Sequence, residues 1–127
     1  MKSDLYSGFA AVTAIAPAVQ AAAVQGASVD VSQAVGVTFV INTGAIAGAG
    51  DFGVAVEESL DGITWGAVPA ARLKRPNVPA TLAQNATYKI GYYGKLKFAR
   101  VNLTKAGGTS IAAGAIAVLR PQDRPAA

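Results

Sequence analysis

The sequence contains no cysteine and no histidine, and only 14% of its 127 residues are charged. Without cysteine the chain can form no disulfide, no thiolate nucleophile and no thiolate metal site. Without histidine it lacks the usual general base and the commonest metal ligand. We therefore expect no cofactor, no metal site and, for most reaction classes, no enzymatic activity. Low charge combined with 52% hydrophobic residues is also the reverse of the composition of disordered chains.

The chain also lacks a long, strongly hydrophobic run. The longest candidate, Phe9 to Val24, consists mostly of alanine and is interrupted by Pro17 and Gln20. A signal peptide needs a basic N-terminal region and a strongly apolar core, whereas here Lys2 is offset by Asp4. No run reaches the roughly 18–20 apolar residues that span a bilayer. We expect a soluble protein that is made in the cytoplasm and has no membrane partner.

Small and β-branched residues are in excess, with 28 Ala, 14 Val and 14 Gly. Valine and isoleucine occur in short runs separated by Gly, Asn, Asp or Pro about every ten residues, which is typical of an all-β chain. The predicted strands are Gly8–Ile15, Ser28–Val31, Gly36–Ile41, Phe52–Glu58, Ile63–Val68, Thr87–Tyr92, Lys97–Leu103 and Ala113–Leu119. We predict an all-β, single-domain antiparallel β-sandwich, jelly-roll-like, with about eight short strands and one long Pro-rich loop. The domain spans residues 1–119, and an extended C-terminal tail spans residues 120–127.

The strongest local signal is a hairpin at Asp61-Gly62. Alternating residues precede this dipeptide from Val54 to Glu58, and Ile63 and Trp65 follow it. An Asp-Gly pair accepts the positive φ values of a tight turn. We expect Trp65 to pack inward near the centre of the sandwich, with a hydrogen-bond partner for its indole N–H.

Other local predictions are weaker. The alanines of Ala18–Gln25 allow one short helix. Asn42–Gly44 and Ala47–Gly50 predict a flexible connection between the third and fourth strands, and Lys105–Thr109 predicts another turn. The segment Tyr88–Phe98 alternates aromatic and basic residues, as a nucleic-acid surface does, but a half-buried hairpin with Tyr93-Gly94 as its turn gives the same pattern. We favour the hairpin and predict no direct nucleic-acid contact.

Two segments do not fit a sandwich strand. Pro69–Asn85 contains three prolines together with Arg72, Lys74 and Arg75, and it is too long for a hairpin turn. The tail Arg120–Ala127 cannot continue a strand past Pro121. Solvated surface chain and a docking role are both open for these segments.

The net charge of +4 conceals an uneven distribution. Residues 1–71 carry one cation and six carboxylates, a balance of −5, whereas residues 72–127 carry ten cations and one carboxylate, a balance of +9. Such a chain can neutralise itself within the fold, or it can associate with copies of itself or with an acidic partner.

No catalytic constellation emerges from the polar residues. Glu57 and Glu58 are adjacent on a predicted strand, so their side chains point to opposite faces. Glu58 and Asp61 lack the dense acidic loop of a Ca²⁺ site. Serine and threonine have no histidine to activate them, and the glycines of Gly44–Gly50 are not followed by the lysine of a P-loop.

Several segments resemble small structural proteins of tailed bacteriophages, in the same order along most of the chain. They are Met1–Tyr6, Ile41–Ile46, Glu57–Trp65, Tyr88–Tyr92 and Phe98–Thr104. The resemblance implies a β-sandwich or jelly-roll subunit of the virion, of the kind that decorates a capsid as a cement protein on the lattice of the major capsid protein. It implies no catalytic residue.

The first functional hypothesis is therefore a capsid decoration protein on the exterior of a virion, made in the host cytoplasm. Its partners would be the major capsid protein and itself, as a homo-oligomer (dimer or trimer). The alternative is a tail or head-fibre component whose sandwich binds carbohydrate through exposed Trp65, Tyr92 and Tyr93. A cell-wall hydrolase is the third. The candidate partner-binding residues are Arg72, Lys74, Arg75, Pro76, Arg120, Arg124, Leu5 and Tyr6.

Overall fold

The computed structural model describes residues 6–76 and 78–121. Its strands are β1 (Ala10–Gln20), β2 (Val29–Asp30), β3 (Ala34–Ala47), β4 (Asp51–Ser59), β5 (Gly66–Ala67), β6 (Leu73–Lys74), β7 (Thr87–Tyr92), β8 (Phe98–Gly107) and β9 (Ser110–Pro121). Two short 3₁₀ turns, Tyr6–Gly8 and Ala70–Arg72, complete the elements. The predicted all-β class is confirmed.

The strands form two antiparallel sheets. One has five strands in the order β1-β9-β3-β7-β6, and the other has four in the order β2-β8-β4-β5. The pairs β4/β5, β3/β7, β2/β8 and β1/β9 are nested, so the first half of the chain pairs with the second half in reverse order. The chain is therefore a long antiparallel ribbon folded over on itself, which is the connectivity of a jelly roll.

Alternation along the strands builds the core between the sheets. On β3 the buried positions are Val37, Phe39, Ile41 and Thr43, and on β8 they are Ala99, Val101 and Leu103. β9 contributes small residues, with Ala113, Ala115 and Ala117 all buried. Because successive side chains of a strand point to opposite faces, this period of two places one face of each sheet in the core.

Two corners that pass the chain between the sheets lie side by side. Gly48 and Ala49 turn from β3 into β4, and Gly108 turns from β8 into β9. Gly108 has a φ of +77°, and a Cβ built on it would lie 2.2 Å from the carbonyl oxygen of Ala49. Turns therefore occur inside the predicted segments Ala47–Gly50 and Lys105–Thr109, but they are shorter than predicted because β3 runs to Ala47 and β8 runs to Gly107. The two corners pack against each other.

We expect Gly108→Ala to lower the free energy of unfolding by about 1.5 kcal/mol, because alanine would have to hold a positive φ and displace the neighbouring corner. Denaturant unfolding of the purified chain measures this loss. Gly107→Ala is the matched control, since nothing lies within 4 Å of a Cβ there. Equal losses in the two variants would contradict the explanation.

Several local predictions are wrong. The residues of Ala18–Gln25 form no helix, because β1 continues to Gln20 and Val24 bridges to Leu103. Pairing with β9 satisfies the backbone of β1, and this outweighs the helix propensity of alanine. Asn42–Gly44 lies inside β3 and is not a turn.

The predicted hairpin Tyr88–Phe98 is also wrong. β7 pairs with β3 and β6, whereas β8 pairs with β4 and β2, so the two strands belong to different sheets. The residues around Tyr93-Gly94 are a crossover from one sheet to the other. Alternation marks both strands correctly, but it carries no information about which strand lies next to which.

The hairpin at Asp61-Gly62 is confirmed in a wider form. Glu57 pairs with Ala67, so the connecting loop is longer than a two-residue turn. The carboxylate of Asp61 accepts hydrogen bonds from the backbone N–H groups of Ile63 and Thr64, both at 2.9 Å. Gly62 supplies a φ of +79°. The Asp-Gly pair therefore shapes this loop through side-chain hydrogen bonds.

Candidate functional site: a basic groove on the five-stranded sheet

A groove of about 480 Å³ lies on the outer face of the five-stranded sheet, beside β7 and β6. Residues paired directly across neighbouring strands share a face, and Lys74 pairs with Gly91 while Lys89 pairs with Val40. The residues that line the groove are Thr38, Val40, Lys74, Pro76, Thr87, Tyr88, Lys89, Gly91 and Tyr93.

The groove exists because β6 ends early. Leu73 and Lys74 pair with Tyr92 and Gly91, and the pairing stops there. Continued pairing would place Pro76 opposite Lys89, but proline has no N–H to donate to a ladder. The part of β7 before Gly91 therefore has no β6 partner.

Tyr93 forms the end wall of the groove. Its backbone N–H donates to the carbonyl oxygen of Arg72 at 2.8 Å, which holds the residue beside the 3₁₀ turn. A Cβ built on Gly91 would lie 3.5 Å from the Tyr93 hydroxyl oxygen, so the ring rests against the glycine. The side chain is 61% exposed. It offers an aromatic surface in a groove that is also lined by Lys74 and Lys89.

The groove is positive, and its charge is not neutralised nearby. No carboxylate is among its lining residues. Within residues 6–76 and 78–121, every carboxylate belongs to β2, to β4 or to the loop that follows β4: Asp30, Asp51, Glu57, Glu58 and Asp61. The ion pair of the described part of the chain, Arg100–Glu57 at 2.7 Å, lies on the four-stranded sheet. Among the described residues, the outer face of the five-stranded sheet therefore carries cations and no carboxylate.

A neutral strip continues from the groove across the same face. Thr38 and Val40 of β3 line the groove and also begin the strip. They pair with Val118 and Ile116 of β9. These two residues pair in turn with Ala11 and Thr13 of β1. Side chains on the solvent face of an antiparallel sheet are usually polar or charged. The strip has no charged residue. The outer-face residues that make it up are Ala11, Thr13, Thr38, Val40, Ile116 and Val118.

The predicted partner-binding residues are distributed over several places. Lys74 and Pro76 line the groove, and Arg72 lies beside Tyr93. Arg120 is exposed near the end of β9, paired with Gly36. Tyr6 is exposed in the first 3₁₀ turn. Leu5 and Arg124 lie outside the described residues.

Arg75 has a structural partner. Its guanidinium donates from Nη1 to the carbonyl oxygen of Val54 at 3.0 Å, and its side chain is half-buried. Further along the same segment, Leu82 is buried and its N–H donates to the carbonyl oxygen of Phe52 at 2.8 Å. The part of Pro69–Asn85 that the structure describes is therefore tied to β4, and its basic end presents Lys74 and Pro76 to the groove.

Lys89 and Tyr93 line the groove but were not among the predicted partner-binding residues, although Tyr93 was named for the carbohydrate alternative. Both lie in the basic and aromatic segment that was assigned to a hairpin. The alternation there was a usable signal, but only the pairing of β6 with β7 shows that Lys89 and Tyr93 share a surface with Lys74.

The aromatic platform of the carbohydrate hypothesis is wrong. Tyr92 is buried in the core, and Tyr93 is exposed on the five-stranded sheet. Trp65 is half-buried on the other sheet, where the Arg100 guanidinium lies 4.2 Å from its ring centroid. Trp65 is thus neither at the centre of the sandwich nor beside the tyrosines. Arg100 also forms an ion pair with Glu57, and its guanidinium makes a cation–π contact with the Trp65 indole ring.

The two adjacent glutamates point to opposite faces, as predicted. Glu57 accepts hydrogen bonds from Arg100 and Asn102, and these bonds lower the pKa of the Glu57 carboxyl. Glu58 is buried and accepts a hydrogen bond from the Tyr92 hydroxyl at 2.7 Å. No group of three potential metal-ligating side chains occurs in the part of the chain that the structure describes. No helix there is long and apolar enough to cross a membrane.

Comparison with known proteins gives little further information. No family model matches the chain. No curated protein matches it either. Two similar solved structures are those of infectious bursal disease virus, strains Gx and Gt, with 14% and 12% sequence identity and TM-scores of 0.44 and 0.43. The matches cover 91% and 92% of this chain but only 32% and 34% of the viral chains, so the chain spans about a third of their length. Similarity this weak supports no conclusion about function.

Proposed function

We propose that this protein is a structural component of a tailed-phage virion. The specific role is a capsid decoration (cement) protein that binds the major capsid protein lattice from outside and stabilises the head. The sequence resemblance motivates the family, and the jelly-roll connectivity is compatible with it, since capsid and lectin domains both use this architecture. Because fold does not determine function, a specific role requires a surface that fits the partner.

The observation that carries the proposal is the arrangement of the five-stranded sheet. Its outer face joins a groove flanked by Lys74 and Lys89 to a neutral strip that contains Ile116 and Val118. A face of this kind fits a protein partner that presents an apolar area with acidic groups around it. Burial of the neutral strip would contribute binding energy. The lysines would select the partner and its register through electrostatic complementarity. The proposed occupant of the groove is an acidic segment of the shell protein.

The shape of the groove suits an extended segment. The edge of β7 beside Pro76 has no β6 partner, so a segment lying there can add main-chain hydrogen bonds to the contacts with Lys74 and Lys89. Tyr93 closes one end. Many such contacts repeated over a lattice stabilise a shell even when each one is weak. The proposal includes no direct contact with nucleic acid or membrane.

Addition of the purified full-length protein to bare capsid shells tests the proposal, with co-sedimentation and copy number as readouts. We expect saturation at hundreds of copies per particle. Lys74→Glu/Lys89→Glu should weaken binding by about 100-fold, which corresponds to about 2.7 kcal/mol for two reversed charges at the contact.

Lys97→Glu/Lys105→Glu is the matched control, because it changes the net charge equally but alters exposed lysines of the other sheet. We expect it to bind shells nearly as the unchanged protein does. Equal loss in both variants, or no addition to shells at all, would refute the proposal. Saturation at three or six copies per particle would instead indicate the tail or head-fibre alternative.

A further inference from the structure

The four outer edges of the two sheets differ sharply in length. Three of them, β2, β5 and β6, are strands of two residues each, whereas β1 has eleven. An edge strand exposes unpaired N–H and C=O groups that can pair with another chain, and natural proteins shorten or charge such edges to prevent it. The β6 edge follows this rule, with Lys74 on the strand and Pro76 just beyond it.

The β1 edge does not follow the rule along its first part. Ala10–Gln20 contains no charged residue. Its second half is protected, because register shifts occur after Thr13 and after Ile15, Pro17 interrupts the ladder, and Ala27 donates its N–H to the Ala14 carbonyl oxygen at 2.8 Å. Its first four residues, Ala10–Thr13, pair regularly with β9 on one side.

The other side of Ala10–Thr13 is open in the described structure. No backbone hydrogen bond from this segment to a described residue other than those of β9 is present. In an antiparallel strand every second residue turns its N–H and C=O away from a given neighbour, so two of these four residues have free main-chain groups. Ala11, Val12 and Thr13 are exposed.

We propose that Ala10–Thr13 pairs antiparallel with the same segment of a second copy across a two-fold axis. The two five-stranded sheets then join into one continuous ten-stranded sheet. A second copy fits this edge because two-fold pairing places the segment opposite the same segment of the partner. A charged residue there would face a like charge, which is destabilising. Ala10–Thr13 contains no charged residue. The contact is isologous and closes at two subunits.

The arrangement has a consequence for the groove. β1 and β6 are the opposite edges of the same sheet, so pairing through β1 leaves both basic grooves open at the two ends of the joined sheet. The dimer would thus present two copies of the groove in fixed relation. This consequence rests on the proposed function, whereas the dimer itself does not.

The test is the mass of the full chain in solution, measured by sedimentation velocity up to about 100 µM, where even a micromolar contact is saturated. We expect twice the 12.7 kDa monomer mass. Ala11→Lys/Thr13→Lys should remain monomeric at every concentration with unchanged circular dichroism and unfolding temperature, because both side chains are exposed. Ala16→Lys/Val19→Lys is the matched control on the protected half of the strand, and it should still form dimers.

Hydrogen exchange of residues 9–16 supplies the second measurement, and its protection should rise with protein concentration. The proposal would be overturned if the protein were a monomer at about 100 µM or a trimer. It would also be overturned if lysines at positions 11 and 13 left the dimer unchanged. The proposal would also be overturned if the hydrogen-exchange protection of residues 9–16 did not depend on protein concentration and disappeared when residues 1–5 were deleted. That result would mean that the chain covers its own edge. If the protein forms the dimer but does not bind capsid shells, that result would contradict the proposed function and leave the dimer proposal intact.

Discussion

Replacement of Phe39 by alanine is expected to lower the free energy of unfolding by about 4 kcal/mol. Phe39 is completely buried on β3, where it pairs with Ile90 on one side and Ala117 on the other. The neighbouring strand β9 presents alanines at its buried positions, and small side chains cannot fill the space that the ring vacates. The lost transfer energy and the residual cavity therefore add.

A loss of this size is a large part of the 5–15 kcal/mol that typically separates folded and unfolded states. Chemical denaturation measures it, and the unfolding temperature should fall by about 10–15 °C. Val35→Ala is the control on the same strand, since Val35 is 61% exposed, and we expect a change below about 0.5 kcal/mol. A loss under about 1 kcal/mol for Phe39→Ala would show that the core collapses around the cavity.

The second large effect concerns the buried hydrogen bond between the sheets. Tyr92 of β7 donates its hydroxyl to Glu58 of β4 at 2.7 Å, and both side chains are buried. Tyr92→Phe removes the donor and leaves the glutamate without this partner. We expect a loss of about 1.5–3 kcal/mol, the range for hydrogen bonds to charged groups.

A double-mutant cycle with Glu58→Leu, which has no acceptor oxygen, separates the bond from other effects of each substitution. The losses of the two single variants should sum to clearly more than the loss of the double variant, because they remove the same contact. Tyr88→Phe serves as a comparison, since its hydroxyl only accepts an N–H from Ala83. Additive losses would mean that the two sheets are not coupled by this bond.

The same pair predicts a dependence on alkaline pH. Burial, followed by the hydrogen bond and charge of Glu58, raises the pKa of the Tyr92 hydroxyl above its usual value of 10. The folded state therefore holds this proton more tightly than the unfolded state, so the contribution is complete below pH 10 and is lost as pH rises above it. The stability difference between the unchanged protein and Tyr92→Phe should be constant from pH 7 to 9 and shrink above pH 10. A difference that stays constant to pH 11 would contradict the assignment.

The strands themselves were largely readable from the sequence. Thr87–Tyr92 is predicted with its observed bounds, and Phe52–Glu58 lies within β4. β3 runs on to Ala47 because pairing with β9 carries it through Asn42–Gly44. The two-residue strand β6 was missed, since two residues in a Pro-rich segment give no periodic signal.

The candidate site was only partly readable. The basic, Pro-rich segment identified Lys74 and Pro76 as candidates. Lys89 and Tyr93 could not be assigned to the same surface, because that depends on the pairing of β6 with β7, more than ten residues apart in sequence. Arg75 looked equivalent to Lys74, but its long side chain finds the Val54 carbonyl oxygen of the other sheet.

By itself, the sequence determined the all-β class, the position of most strands, the places of the corner turns, and the absence of cysteine and histidine chemistry. These are local properties that depend on composition and on a period of two. The tertiary structure alone decided how strands divide between the sheets, because pairing joins residues far apart in the chain. That division pairs acidic β4 with basic β8, so that Glu57 meets Arg100, and no described carboxylate lies in the five-stranded sheet beside Lys74 and Lys89. The charge imbalance between the two halves of the sequence thus becomes a cationic face only through the fold.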